Sequence, residues 1–199
     1  CDQIGNADGS VIGEVEFGSD WARFDGESAI RLPDGEYFSA ADGAITVLAV
    51  LSVEDWSGGD PLNGYVHWAG KGRPGAQEWA FRHYVEGDDR EGRVSFYAFS
   101  AEGGLGAGSY FQSELNDDVV VVTATLMDGM VSIWKDGSLQ DMDWLSQYGV
   151  VPTDGDADVY LGTRGDGSGY LVGRLRDVAF FDHELTAEEM EEVHDVISW

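Results

Sequence analysis

The sequence predicts an all-β protein, an antiparallel sandwich of two sheets with one short α-helix at the C-terminal end. Three observations predict this fold. Short segments rich in β-branched and aromatic residues alternate with Gly-, Asp- and Pro-rich connections. Two Asp-Gly pairs, at residues 128–129 and 136–137, separate apolar segments as tight hairpins require. A helical pattern of good quality occurs only after residue 186.

The strand candidates extend from residue 11 to residue 182. A weak alternation over residues 11–17 predicts an edge strand in an entry segment, residues 1–20, that precedes one domain of residues 21–199. The apolar run Ala44–Val53 predicts a central strand buried on both faces. The Gly-dense residues 103–109 predict a flexible loop. Two short predicted strands flank the Asp25-Gly26 turn within residues 22–33, and the other predicted strands lie within residues 65–69, 78–85, 94–99, 119–127, 130–135, 159–162 and 173–182.

The helix start is defined by its capping residues. Thr186 can cap the helix, Glu189 can complete a capping box, and Leu185 can pack on Met190. Apolar residues then recur at helical spacing, so one face of residues 187–197 should pack on the domain.

Composition limits the function. The 199 residues include 38 acidic and 11 basic side chains, which gives a formal net charge of −27 and argues against binding to nucleic acid or anionic membranes. A halophile's acidic surface and abundant metal binding both account for this charge. Because the acidic residues are spread along the whole chain and lysine is nearly absent, the halophilic explanation is favoured. No apolar run is long enough to span a bilayer.

The single cysteine, Cys1, rules out an intramolecular disulfide framework and a Cys-based zinc site. A cysteine at the first position is typical of a lipoprotein, whose mature chain begins at a lipidated Cys. The alternative is that residue 1 is a fragment boundary.

Three motifs resemble laminin G-like jelly rolls of the concanavalin A-like lectin/glucanase superfamily. They are a Phe-Asp-Gly opening at residues 24–26, the Asp-Gly hairpins, and a Gly-led final strand followed by Leu-Thr-Ala-Glu-Glu at residues 185–189. The resemblance covers roughly residues 22–195 and implies an antiparallel jelly-roll sandwich.

The catalytic patterns of this superfamily are absent from the sequence. The hydrolases carry Glu-x-Asp-x-x-Glu on one strand, and the lyases carry an Arg-x-Glu-hydrophobic-Arg strand with Gln-x-His nearby. Neither pattern occurs here. His83 is interpreted as a core or rim residue, and the protein is predicted not to be an enzyme.

Exposed aromatic rings that stack on pyranose faces are the expected carbohydrate-binding groups. Trp21, Trp134 and Trp199 are assigned to the core or its edges. The remaining candidates lie in or beside predicted loops or on a neighbouring strand. They are Trp56, Trp68, Trp79, Arg82, Tyr84 and Trp144.

The resemblance also implies a structural Ca²⁺ ion. Gly26 and Asp177 match the ligand positions of the jelly-roll hydrolases, and Asp25 lies beside Gly26. Asp177 alternates with Leu175 and Ala179, and a carboxylate on an apolar strand face needs a cation or hydrogen-bond donors. A salt bridge from Asp177 to Arg23 or Arg31 is the alternative.

The leading functional hypothesis is a non-catalytic extracellular recognition or adhesion module that binds a glycan or a cell-surface protein. It would lie outside the cell or on its surface, with Cys1 as a lipid anchor if Cys1 is the mature terminus. The alternative is a structural subunit of a surface filament, lattice or virion that assembles through the N-terminal segment. A glycan hydrolase or lyase is a weaker third reading.

Overall fold

The computed structural model describes residues 8–39, 43–56, 64–100, 106–115 and 119–197. It contains two seven-stranded antiparallel sheets that enclose one hydrophobic core, and one α-helix near the C-terminal end. The predicted all-β sandwich is therefore confirmed.

The strands are named in chain order. They are β1 (Ser10–Ile12), β2 (Glu16–Phe17), β3 (Ala22–Asp25), β4 (Ala29–Leu32), β5 (Ala44–Val53), β6 (Tyr65–Arg73), β7 (Ala76–Tyr84), β8 (Val94–Ala98), β9 (Ala107–Tyr110), β10 (Val120–Met127), β11 (Met130–Lys135), β12 (Ser138–Trp144), β13 (Val159–Leu161) and β14 (Val172–Phe181). The helix α1 spans Ala187–Ile197, and short 3₁₀ turns span Glu36–Phe38 and Leu145–Tyr148. The first sheet has the order β1-β4-β13-β6-β7-β8-β9, and the second has the order β12-β11-β10-β5-β14-β3-β2.

The strand β5 lies at the centre of the second sheet and is buried on both faces, as predicted. Val47 and Leu51 face the core between the sheets, whereas Leu48 and Val50 face the opposite way. The residues Val193 and Ile197 of α1 pack near Leu48 and Val50. The helix therefore covers the outer face of the second sheet.

The capping box of α1 forms as predicted. The Thr186 backbone N–H donates to Glu189 Oε2 at 2.8 Å, and the Glu189 N–H donates to Thr186 Oγ1 at 3.3 Å. Leu185 and Met190 are both buried. The Thr46 hydroxyl ties this end of the helix to β5, because it donates to the His183 carbonyl and accepts from the Leu185 N–H.

Both predicted hairpins form between β10, β11 and β12. Asp128 and Asp136 have φ angles of 51° and 46°, and the glycines that follow them have φ angles of 77° and 73°. Positive φ at two consecutive residues defines the tight turn whose twist matches the flanking strands, and Asp-Gly tolerates it.

Three features differ from the prediction or extend it. The Asp25–Gly26 turn joins strands of opposite sheets. Part of the predicted loop at residues 103–109 is the strand β9, where a Cβ on Gly108 would lie 2.0 Å from the Phe96 carbonyl oxygen, so only glycine fits. The entry segment supplies the edge strand of both sheets, as β1 and β2.

The outer face of the first sheet differs from that of the second. Within the described residues, no helix lies across it. No described helix is both long and apolar enough to cross a membrane.

Candidate ligand-binding face

A row of polar side chains crosses four strands of the first sheet on its outer face. His67 of β6 pairs with Arg82 of β7, Arg82 pairs with Ser95 of β8, and Ser95 pairs with Tyr110 of β9. Paired residues of neighbouring strands project to the same side. The neighbours of Arg82 and Ser95 along the chain, such as Phe81 and Phe96, face the core. The row therefore lies opposite the core.

Tyrosine rings enclose the Arg82 guanidinium. Its central carbon lies 3.6 Å from the ring centroid of Tyr65 and 4.8 Å from that of Tyr97. Such contacts are attractive because the ring face carries negative charge. Both tyrosines are half-buried, so each ring keeps part of its surface open to solvent.

A second arginine extends this cluster. The Arg90 guanidinium carbon lies 4.0 Å from the Tyr84 ring centroid, and Arg90 donates to the Tyr84 hydroxyl at 2.8 Å. The Tyr84 and Tyr97 hydroxyls lie 3.1 Å apart, which links Arg90 to the rings around Arg82. We call Tyr65, His67, Arg82, Tyr84, Arg90, Ser95, Tyr97 and Tyr110 the Arg/Tyr face.

The Arg/Tyr face includes two arginines, Arg82 and Arg90, in a chain of net charge −27. Arg90 pairs with Asp88, but Arg82 makes no ion pair with any residue in the described part of the chain. Burial lowers the pKa of Arg82, and the neighbouring Arg164 lowers it further. A guanidinium nevertheless stays charged at neutral pH.

Three neighbouring side chains of the row are buried and carry polar atoms without a partner. His67, Arg82 and Ser95 are 1%, 6% and 0% exposed. Among the described residues, no hydrogen-bond partner reaches either ring nitrogen of His67, the Nε of Arg82 or the Oγ of Ser95. Buried polar groups are nearly always hydrogen-bonded, so this row can bind a polar group that reaches it.

The ionisation states favour binding over proton transfer. Burial and the charge of Arg82 lower the pKa of His67 well below its ordinary value, so the imidazole is neutral at pH 7. Burial, with the hydrogen bond to Tyr97, raises the pKa of the Tyr84 phenol, so it keeps its proton. A neutral imidazole and protonated phenols supply hydrogen bonds and ring faces.

The structure brings together two of the six predicted binding residues, Arg82 and Tyr84. Trp68 and Trp79 are corrected, because both rings lie in the core, where neither can stack on a sugar. The Trp68 indole donates to His83 Nδ1 at 2.8 Å, and the Trp79 indole donates to the Phe38 carbonyl at 2.7 Å. His83 is a core residue, as predicted.

The other two candidates lie elsewhere. Trp56 is half-buried and packs its ring on His83, with centroids 4.7 Å apart. Trp144 is 48% exposed at the end of β12, the edge strand of the second sheet. Cys1 and Trp199 lie outside the described residues.

Sequence reasoning missed Tyr65, His67, Ser95 and Tyr97. The available signal was alternation, since Tyr65 and His67 are two apart, as are Ser95 and Tyr97. A β-bulge between His67 and Ala69 interrupts the alternation further along β6, because Trp68 and Ala69 are neighbours in sequence and both belong to the core.

The residues proposed for Ca²⁺ do not fit a shared ion. Asp25 pairs with Val172 at one end of β14, and Asp177 lies five positions further along that strand, roughly 16 Å away at about 3.3 Å per residue. Gly26 lies beside Asp25, at the far end from Asp177. Within the described residues, no group of three or more His, Cys, Asp or Glu side chains is arranged to hold a metal.

The alternative salt bridges of Asp177 do not form either. Its carboxylate pairs with Arg176 at 2.9 Å, while Arg23 pairs with Glu54 and Arg31 with Asp158. A bulge between Leu175 and Val178 interrupts the alternation of β14, and the Asp177 side chain is half-exposed. The sequence argument for an apolar environment therefore does not apply.

The two seven-stranded antiparallel sheets, with one outer face covered by a helix, define a jelly-roll β-sandwich. A family model described as the concanavalin A-like lectin/glucanases superfamily, of the laminin G-like type, matches residues 24–191. The chain belongs to this family. No curated protein sequence matches the chain.

Similar solved structures come from botulinum neurotoxins. One is of type C, whose cell entry depends on interaction with two ganglioside molecules (TM-score 0.74, 16% identity, 98% of this chain and 47% of that one). Another is the binding domain of neurotoxin DC in complex with rat synaptotagmin II, with a TM-score of 0.73 and 14% identity over 96% of this chain and 47% of that one. A third is the serotype D ligand-binding domain in complex with N-acetylneuraminic acid, with a TM-score of 0.72 and 13% identity over 96% of this chain and 46% of that one. At these identities the likeness shows the fold alone, and this chain spans about half of each neighbour.

Proposed function

We propose that this protein is a non-catalytic extracellular recognition module that binds a glycan, or a glycosylated surface partner, on the Arg/Tyr face. The observation that carries the proposal is the set of half-buried tyrosine rings around Arg82, on the one sheet face that no described helix covers. Tyrosine supplies an apolar ring and a polar tip, the combination that a sugar surface requires.

The similar solved structures support the general class of function proposed, that of a binding module. The neighbouring toxin domains are binding domains, one in complex with N-acetylneuraminic acid and another in complex with rat synaptotagmin II. A module of the same fold, with half-buried tyrosine rings on a sheet face that no described helix covers, is suited to the same kind of task.

The test is a glycan array with the purified protein, followed by affinity measurements on the glycans that it retains. Tyr65→Ala and Tyr97→Ala should each weaken binding about tenfold, because each removes a ring from the face. Trp144→Ala is the matched control, since it removes an exposed aromatic ring from the other sheet and should leave affinity unchanged.

Two results would overturn the proposal. One is an array on which the folded wild type retains no glycan. The other is turnover: new reducing ends or unsaturated uronates, produced from a bound glycan by wild type but not by Tyr84→Phe, would identify an enzyme.

A structural subunit of a surface assembly is the second candidate function. The observation that favours it is that β1 and β2 are exposed edge strands of both sheets, formed by one N-terminal segment. Unpaired strand edges can accept a strand of another chain. Light scattering after size-exclusion chromatography in high salt tests it: an assembly that Val11→Pro dissociates supports it, and a monomer at all concentrations refutes it.

A further inference from the structure

We infer that the ligand of the Arg/Tyr face is anionic: an acidic glycan whose carboxylate or sulfate group pairs with Arg82. This inference rests on the proposed function and specifies its ligand class. Three observations support it. Most other cations of the chain have a counter-charge, the polar groups beside Arg82 have no hydrogen-bond partner among the described residues, and the tyrosine rings offset only part of the cost of burying the Arg82 charge.

Three arginines, Arg73, Arg82 and Arg93, have no ion pair with any described residue, and of these only Arg82 is buried, since Arg73 is exposed and Arg93 half-buried. Six other arginines pair with a carboxylate in the described part of the chain. They are Arg23, Arg31, Arg90, Arg164, Arg174 and Arg176. The buried Lys71 contacts both Asp34 and Glu78. Arg82 is buried without such a pair, although the chain has 38 acidic residues. A buried charge without a counter-charge is costly. A ligand that supplies an anion would remove part of this cost, and the free energy gained would add to its affinity.

The neighbours of Arg82 fit an oxyanion. Neutral His67 has one N–H donor, and the Ser95 hydroxyl can donate. Both flank Arg82 in the row, and neither has a partner among the described residues. An oxygen-rich anion accepts several such hydrogen bonds at once, and charge-assisted bonds of this type are the strong ones.

A purely structural explanation is that the Tyr65 and Tyr97 rings alone hold Arg82. A cation–π contact offsets only part of the desolvation cost of a buried guanidinium, and it satisfies none of the N–H groups that lie in its plane. The Arg82 Nε is buried and without a partner despite both rings. The rings therefore orient the guanidinium, and the anion completes the site.

The experiment uses matched pairs of acidic and neutral sugars on wild-type protein. One pair is an oligogalacturonate and its methyl ester, and the other is a sulfated galactan oligosaccharide and its desulfated form. The first pair tests a carboxylate and the second a sulfate. Titrations are run in 1 M KCl, where the long-range repulsion from the −27 surface is screened and contacts to a buried group are screened less.

We expect an acidic sugar to bind at least about tenfold more tightly than its neutral partner, which is the effect of one charge-assisted contact. Arg82→Met should remove that preference, so that the acidic and the neutral member of a pair bind with equal affinity. Arg174→Met is the matched control: Arg174 also lies over a ring, that of Trp21, at 5.0 Å, but it belongs to the second sheet and pairs with Glu54. It should bind like wild type.

Each outcome decides between the two claims. Equal affinity for acidic and neutral members of every pair, with binding that Tyr97→Ala weakens, overturns the inference and leaves the proposed function standing. Absence of binding to any array glycan overturns both. An acidic preference that survives Arg82→Met overturns the role of Arg82. If Arg82→Met does not fold, Ser95→Ala replaces it and should reduce the preference for the acidic sugar.

Discussion

The chain buries a second cation, Lys71, in a different way from Arg82. Its ammonium lies 2.8 Å from Glu78, 2.9 Å from Asp34, 2.6 Å from the Ser39 hydroxyl and 2.7 Å from the Gly155 carbonyl. Burial alone would lower the pKa of Lys71, but these two carboxylates outweigh it and raise that pKa. Burial raises the pKa of Glu78 although Lys71 is its ion-pair partner, so burial still disfavours the charged form of this carboxyl group. The cluster joins β6, β7 and two loops.

Lys71→Met should therefore destabilise the fold by about 3 kcal/mol at pH 7, because it leaves Glu78 charged and buried without its counter-ion. Chemical denaturation measures the loss. The double variant Lys71→Met/Glu78→Gln removes both charges and should recover most of it. A double variant no more stable than Lys71→Met would show that packing, not charge, is responsible.

His83 gives the fold an acid sensitivity. Burial lowers its pKa to about 3, from an ordinary value of 6.5. As pH falls below about 6.5 the unfolded chain takes up this proton first, so stability is lost between pH 6.5 and 3, by an amount on the order of 4 kcal/mol. The slope of unfolding free energy against pH should be shallower in His83→Gln. His183→Gln, at an exposed site, should retain the wild-type slope.

At the scale of elements, the capping box fixes where α1 begins and how it meets the second sheet. Thr186→Ala removes the acceptor for the Glu189 N–H and should cost about 1 kcal/mol in unfolding free energy. Thr186→Ser keeps a hydroxyl and should retain most of the stability. Equal losses in both variants would point to the Thr186 methyl group rather than to the cap.

The sequence predicted elements whose signals are local, such as β5, the Asp-Gly hairpins and α1. It failed where a bulge changes which face a residue occupies. The bulge after Leu175 interrupts the alternation that assigns Asp177 to an apolar face, and that side chain is 49% exposed. Trp68 and Trp79 are misassigned for a different reason, because the sequence places them in or beside loops, whereas they lie within β6 and β7 with their rings in the core. The Arg/Tyr face depends on the register among the four consecutive strands β6 to β9, and the long connections between β7 and β8 and between β8 and β9 do not fix that register from the sequence.

At the scale of the molecule, the two outer sheet faces have different roles. The helix α1 closes one with apolar contacts, and the other carries aromatic rings and arginines. The negative charge is spread over the rest of the surface. An acidic ligand would meet repulsion at long range and attraction only at the Arg/Tyr face, which favours a partner that fits that face over other anions.

The same charge should make the fold depend on salt. With 38 acidic against 11 basic side chains, like charges crowd the surface of one small domain. The Debye length falls from about 10 Å in 0.1 M salt to about 3 Å in 1 M salt, so self-repulsion weakens and the melting temperature should rise over that range of KCl. Sucrose at matched osmolality is the control, because it strengthens burial without screening charge. A melting temperature that KCl raises no more than sucrose does would show that the acidic side chains do not destabilise this fold by repulsion.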